Sequence, residues 1–149
     1  MNQQIEPKPS VYRGITYSSR LEARWAVLID NCKNVVSFQY QPKTFVLPNG
    51  WEYTPDFLVR YQETPNHHQQ MFLEIKPSTP TKEYRDTLST FAKVLPHPLF
   101  LLCGSIYKDN YISSWLLQGH RVSLTHPADV FKGYDVAYKT AANYRFDIQ

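Results

Sequence analysis

The sequence predicts an α/β domain, a mixed central β-sheet flanked by helices. Three observations carry this. Two segments, around residues 18–34 and 79–95, repeat their apolar residues at helical spacing. Short β-favouring runs broken by Pro and Gly lie between them. Leu99–Cys103, after the second segment, is a continuous apolar run, the pattern of a strand buried on both faces.

The elements follow in chain order. Residues 1–11 are polar with prolines and read as a loose arm. Ser18 and Ser19 open a helix whose stripe is Leu21, Trp25, Leu28 and Cys32, widened by Ala26 and Ile29, and which ends near Lys33-Asn34. Val35–Tyr40 and Thr44–Leu47 read as strands; Pro48-Asn49-Gly50 is a turn, and a third strand runs from Trp51 to about Tyr61. Glu63–Gln70, with His67 and His68, reads as a solvated polar loop, and Met71–Lys76 as a strand stopped by Pro77. Thr79 or Thr81 caps a second helix with Tyr84, Leu88, Phe91, Ala92 and Leu95 on its buried side. Beyond Gly104 the reading is a short helix over Tyr111–Leu117, a strand over Arg121–Thr125 and a final helix over Asp135–Arg145.

Bulk properties suit one domain spanning 1–149. Hydrophobic residues make up 42% of the 149, enough for a core, and the net charge of +3 names no partner. Met1–Ser10 has no signal-peptide character and no apolar run approaches membrane-spanning length, so a soluble, cytoplasmic protein is expected. Cys32 and Cys103 each sit in apolar surroundings and read as buried free thiols. There are 11 tyrosines, whose apolar body and polar tip suit a core edge or a nucleic-acid groove.

The sharpest chemical pattern is Pro55-Asp56 followed by Glu74-Ile75-Lys76. Strand alternation sends Glu74 and Lys76 to one face with Phe72, and Leu73 and Ile75 to the other. Charges on a partly apolar sheet face are costly unless paired or bound to something. An internal salt bridge of Glu74 is one solution. The other is a hard cation held by Asp56, Glu74 and the backbone carbonyl of Ile75, with Lys76 beside it to orient water or stabilise charge on a phosphorane. Glu22 is the third helical residue after Ser19 and completes a Ser-x-x-Glu capping box.

Tyr53-Thr54-Pro55-Asp56-Phe57-Leu58-Val59 and Phe72-Leu73-Glu74-Ile75-Lys76-Pro77 resemble the PD-(D/E)xK nuclease superfamily. Tyr17-Ser18-Ser19-Arg20-Leu21-Glu22 and Phe38-Gln39-Tyr40-Gln41-Pro42 narrow the resemblance to TnsA-type transposon endonuclease N-terminal domains and related phage nucleases. It covers residues 12–103, the recognisable core; residues 104–149 form an extension without a recognised partner domain.

The resemblance implies a restriction-endonuclease-like core and Mg2+-dependent hydrolysis of DNA phosphodiesters, with Mn2+ able to substitute. It implies catalysis by Glu22, Asp56, Glu74 and Lys76, and metal ligation by Asp56, Glu74, the Ile75 carbonyl and Glu22. It also implies phage or mobile-element DNA processing in a bacterial or phage-infected cell. A homodimer or larger nucleoprotein assembly would supply a second site for a second strand. The other reading is a nuclease-fold DNA-binding or assembly module that does not cleave, although none of the four residues is substituted. An RNA nuclease is a third, without a recognisable aromatic RNP pair to support it. Arg20, Arg24, Lys43, Lys82 and Arg85 are the candidate phosphate contacts, each equally readable as a solvated surface cation. Gln39 and Gln41 are candidate cleft residues.

Overall fold

The computed structural model describes residues 8–107 and 112–146. Its elements are β1 (Ser10–Tyr12), β2 (Ile15–Tyr17), α1 (Arg20–Asp30), β3 (Val35–Tyr40), β4 (Phe45–Val46), β5 (Glu52–Tyr53), β6 (Phe57–Thr64), β7 (His67–Lys76), α2 (Lys82–Ala92), β8 (Leu99–Cys103), β9 (Ser113–Gln118), β10 (Arg121–Leu124) and α3 (Tyr134–Asn143). Six strands form one sheet in the order β10-β9-β8-β7-β6-β3. β7 and β8 run parallel while their other neighbours pair antiparallel. A parallel pair needs a crossover, and α2 supplies it.

Alternation along the strands divides the core between two faces. Phe57, Val59, Met71, Leu73, Ile75, Phe100 and Leu102 pack with α1 and α3. Phe72, Leu99, Leu101, Cys103 and Leu117 pack with Leu88 and Ala92 of α2. β8 lies inside both layers, and each of its residues is at most 1% exposed, as its apolar run requires. α1 is buried at Ala23 and from Trp25 through Ile29, more than a single stripe, because α3 and the β1–β2 hairpin cover what the sheet does not. Its cap is Ser19, whose Oγ accepts from the Glu22 amide at 3.1 Å, and it stops at Asn31 rather than Lys33-Asn34. Thr81 caps α2, accepting from the Tyr84 amide. Both thiols are buried and free, and burial pushes Cys32 up to about 12 and Cys103 up to about 11.

Four expectations change. Ser10 and Val11 belong to a hairpin, not an arm, and its two-residue turn, Arg13-Gly14, takes positive φ at both positions as a primed turn requires; residues 1–7 lie outside the described residues. The strand expected from Trp51 to Tyr61 breaks at Thr54-Pro55-Asp56. β5 pairs with β4 away from the central sheet, because Pro55 has no N–H to give a ladder. The polar stretch 63–70 is a tight hairpin around Pro65-Asn66. The residues at the tip of β6 and β7 are exposed and so need no apolar face.

The helix expected over Tyr111–Leu117 is β9, captured by the open edge of β8; tertiary pairing overrides the local pattern, and Tyr111 lies outside the described residues. Residues beyond Gly104 therefore complete the sheet and the α1 layer. No helix among the described residues is long and apolar enough to cross a membrane.

Candidate active site

The strand break before β6 positions the first acid. Asp56 donates its amide to Leu73 O at 3.0 Å and accepts from the Gln41 amide at 2.8 Å, so its backbone is held between β3 and β7. Its side chain reaches across, and Oδ2 accepts from the Ile75 amide at 2.7 Å. Glu74 stands on β7 with a side chain only 7% exposed. Tyr53 donates to its Oε1 at 2.7 Å and Tyr84 to its Oε2 at 3.0 Å. Lys76 Nζ lies 3.6 Å from the same Oε2 and 4.9 Å from the centre of the Tyr84 ring, and its side chain is 38% exposed. A cavity of about 340 Å3, lined by Lys76, Thr79, Thr81 and Tyr84 among others, opens beside it.

Glu22 arrives from α1. Its Oε1 accepts from Ser18 Oγ at 2.5 Å, Ser19 Oγ at 3.1 Å and Tyr40 OH at 3.0 Å. The capping box thus forms by half: Ser19 caps the helix, while the Glu22 carboxylate turns to hydroxyls and to Asp56.

The electrostatics follow from crowding. Burial, then the charge of Glu74, then Glu22 push the Asp56 carboxyl up to about 9, against the opposing pull of the Ile75 amide. Burial also raises Glu74, against the pull of Tyr53, Lys76 and Tyr84. The Tyr53 and Tyr84 phenols are held well above their ordinary value by burial and by Glu74, and remain proton donors.

A cation fits the charge of this site more readily than its present geometry. Among the described residues no set of three or more His, Cys, Asp or Glu side chains forms a ready-made cage. What fits is the donor set: a buried carboxylate that raises the partly buried one beside it, a third bonded to the latter, and neutral hydroxyls as most of their partners. A divalent ion would offset the cost of ionising such a cluster. Asp56, Glu74 and the carbonyl of Ile75, on the stretch of β7 that bonds Asp56, are the oxygens available to hold it.

The five candidate phosphate contacts do not gather at the acids. Arg24 Nη1 donates to the carbonyls of Ala141, Ala142 and Tyr144 at 2.7, 3.3 and 3.1 Å, capping the negative end of α3. Its observed work is to tie two helices together. Arg20 bonds Ser10 Oγ and covers Phe146. Lys82 pairs with Asp86 on the exposed side of α2, and Arg85 stacks on Trp115 with a buried Nε that lacks a hydrogen-bond partner. Lys43 lies over Phe45 at a shallow cavity that Gln39 also lines. Gln41 serves the site through its backbone, and His67 and His68 stand exposed at the opposite end of β7.

Ser18, Tyr40, Tyr53 and Tyr84 are site residues that sequence reasoning did not single out. Their signal was the tyrosine count joined to the rule that a buried phenol finds an acceptor.

Comparison with curated proteins and with solved structures gives no match. The family comparison is narrower than the span 12–103 suggested by motif and leaves Glu22 outside it. Residues 32–95, which hold Asp56, Glu74 and Lys76, match the family described as TnsA-like endonuclease N terminal, a member of the restriction-endonuclease-like PD-(D/E)xK superfamily.

Proposed function

We propose that the chain is a divalent-metal-dependent DNA endonuclease that hydrolyses phosphodiester bonds at the Asp56–Glu74–Lys76 cluster. The fold is restriction-endonuclease-like and the matched family is one of endonucleases. The observation that carries the reading is Asp56, pinned by the Ile75 amide beside the buried carboxylate of Glu74, with Lys76 at 3.6 Å from that carboxylate.

Asp56, Glu74 and the Ile75 carbonyl would hold Mg2+, or Mn2+ in its place. Such an ion, when bound, polarises a phosphodiester and generates a hydroxide-like nucleophile near neutral pH. The protein's own groups do the rest. Asp56 and Glu74 are oriented in advance by an amide and two phenols, so no reorganisation is needed as charge develops. Lys76, partly exposed at the mouth of the cavity, donates to the attacking water or to a phosphate oxygen. Glu22 brings a third carboxylate to Asp56 from the opposite layer and completes the acidic set.

DNA from a phage or mobile element is the proposed substrate. One such centre cuts one strand, so a double-strand cut calls for a second copy.

The test incubates purified protein with linear, nicked, single-stranded and four-way-junction DNA in Mg2+, Mn2+ or excess chelator, beside Asp56→Ala and Glu74→Ala. Cleavage confined to wild type with metal is expected. Cutting in chelator, or by either variant at the wild-type rate, refutes the mechanism. DNA binding without cleavage of any substrate identifies an assembly module instead.

A further inference from the structure

Glu74 is gripped from two sides. Tyr53 comes from β5, outside the central sheet, and donates to Oε1 at 2.7 Å. Tyr84 comes from the first turns of α2 and donates to Oε2 at 3.0 Å. The Tyr53 ring is seated on Phe91, with centroids 4.7 Å apart, and the Tyr84 ring faces the Lys76 ammonium at 4.9 Å. A carboxylate on a strand otherwise turns broadly about its last torsion. The contact with Lys76, at 3.6 Å and to one oxygen only, does not define its plane. One phenol on each oxygen does, and leaves the remaining lone pairs in fixed directions.

We propose that Tyr53 and Tyr84 are positioning residues: they set the plane of Glu74 for a divalent cation, and the Tyr84 ring also seats Lys76. The proposal rests on the metal-dependent reading above. Two parts of Tyr84 then have separate tasks. Its hydroxyl orients the carboxylate. Its ring offers the ammonium an attractive face that persists when a cation takes up the Glu74 charge. Neither tyrosine touches substrate; both act through a neighbour, as partners behind a metal ligand do.

The test uses the full chain. Mn2+ binding is measured by titration calorimetry without DNA, and single-turnover cleavage is followed across Mn2+ concentrations. Tyr53→Phe and Tyr84→Phe each remove one oxygen and keep the ring. Each should weaken Mn2+ binding by roughly tenfold, and the double variant by more. The Mn2+ concentration for half-maximal cleavage should rise in parallel, with the maximal rate falling much less. Tyr84→Leu removes the ring too, and should lower the rate at saturating Mn2+ well below that of Tyr84→Phe. Tyr61→Phe, a phenol on β6 outside the cluster, serves as control and should titrate as wild type.

If wild type binds Mn2+ and cuts while both Phe variants titrate like it, the positioning role is overturned and the endonuclease reading stands. If the Phe variants lose binding only together with a large fall in melting temperature, the phenols are packing elements and the proposal is again overturned. A wild-type chain that neither binds Mn2+ nor cuts removes the reading and the proposal together.

Discussion

Asp56→Asn should stabilise the metal-free protein while it abolishes cleavage. In the fold, burial and the carboxylates of Glu74 and Glu22 raise the Asp56 carboxyl from 3.8 to about 9. A group whose folded value is raised binds more protons folded than unfolded throughout that interval. Stability of the metal-free protein therefore falls as pH rises from about 4 towards 9. Asparagine has no proton to bind, so its contribution lacks this slope. It remains partly buried and still offers an oxygen to the Ile75 amide, so the gain is only the like-charge part of the penalty. We expect about 1–2 kcal/mol, within the range of a single stabilising substitution. In a domain of this size that is about 2–8 °C in melting temperature.

The assay is a set of melts in excess chelator from pH 5 to pH 9, wild type beside Asp56→Asn. The difference should be small at pH 5, grow with pH, and reverse when Mg2+ is added, since the cation stabilises only the chain that binds it. An Asp56→Asn protein that melts below wild type at pH 8 in chelator would show that the site holds no uncompensated charge, and the argument for a cation would fall with it.

Glu22→Gln leaves the Ser19 cap in place, because that bond uses the Glu22 amide. It should melt within a few tenths of a kcal/mol of wild type yet cut roughly a hundredfold more slowly or worse; cutting at the wild-type rate in single turnover would reduce the site to Asp56, Glu74 and Lys76. Arg24→Ala should cost about 2–3 kcal/mol in urea denaturation, since it removes charged hydrogen bonds to the last carbonyls of α3, with little change in DNA affinity; lost affinity at unchanged stability would restore its phosphate role. Ca2+ should bind and compete with Mg2+ but support little cutting, because its looser coordination positions water poorly, and a calcium-driven rate near that with Mg2+ would contradict the proposed ligand set.

The parts of the fold legible in the sequence are those where one residue's environment is set by its neighbours along the chain. Ser19 and Thr81 announce two helix starts because a cap is a local hydrogen bond. Leu99–Cys103 announces the central strand because burial on both faces removes any need for polar residues. Glu74 and Lys76 were legible because charge on an otherwise apolar strand contradicts its surroundings, and Asp56 because it stands between Pro55 and the apolar run Phe57–Val59. The rest depended on contacts distant in sequence. β9 is a strand because β8 has an edge to fill. Arg24 serves a helix more than a hundred residues away. Tyr84 reads as a core residue of α2 and is one by its ring; nothing local reveals that its hydroxyl ends on Glu74.

The choice of partners around the three acids is itself an argument about what the site is for. A buried carboxylate can be stabilised by an arginine or lysine, and the result is an ion pair with little charge left over. Here most partners are neutral: an amide on Asp56, two phenols on Glu74, two serines and a phenol on Glu22. Neutral donors orient an oxygen without cancelling its charge. Lys76 is the one cation recorded against these carboxylates among the described residues, and it meets Glu74 at 3.6 Å rather than in a close pair. Arg20 and Arg24, one turn apart around Glu22, are turned instead towards Ser10, Phe146 and the end of α3. The three acids are thus left without an arginine partner among the described residues, which suits the divalent cation proposed above.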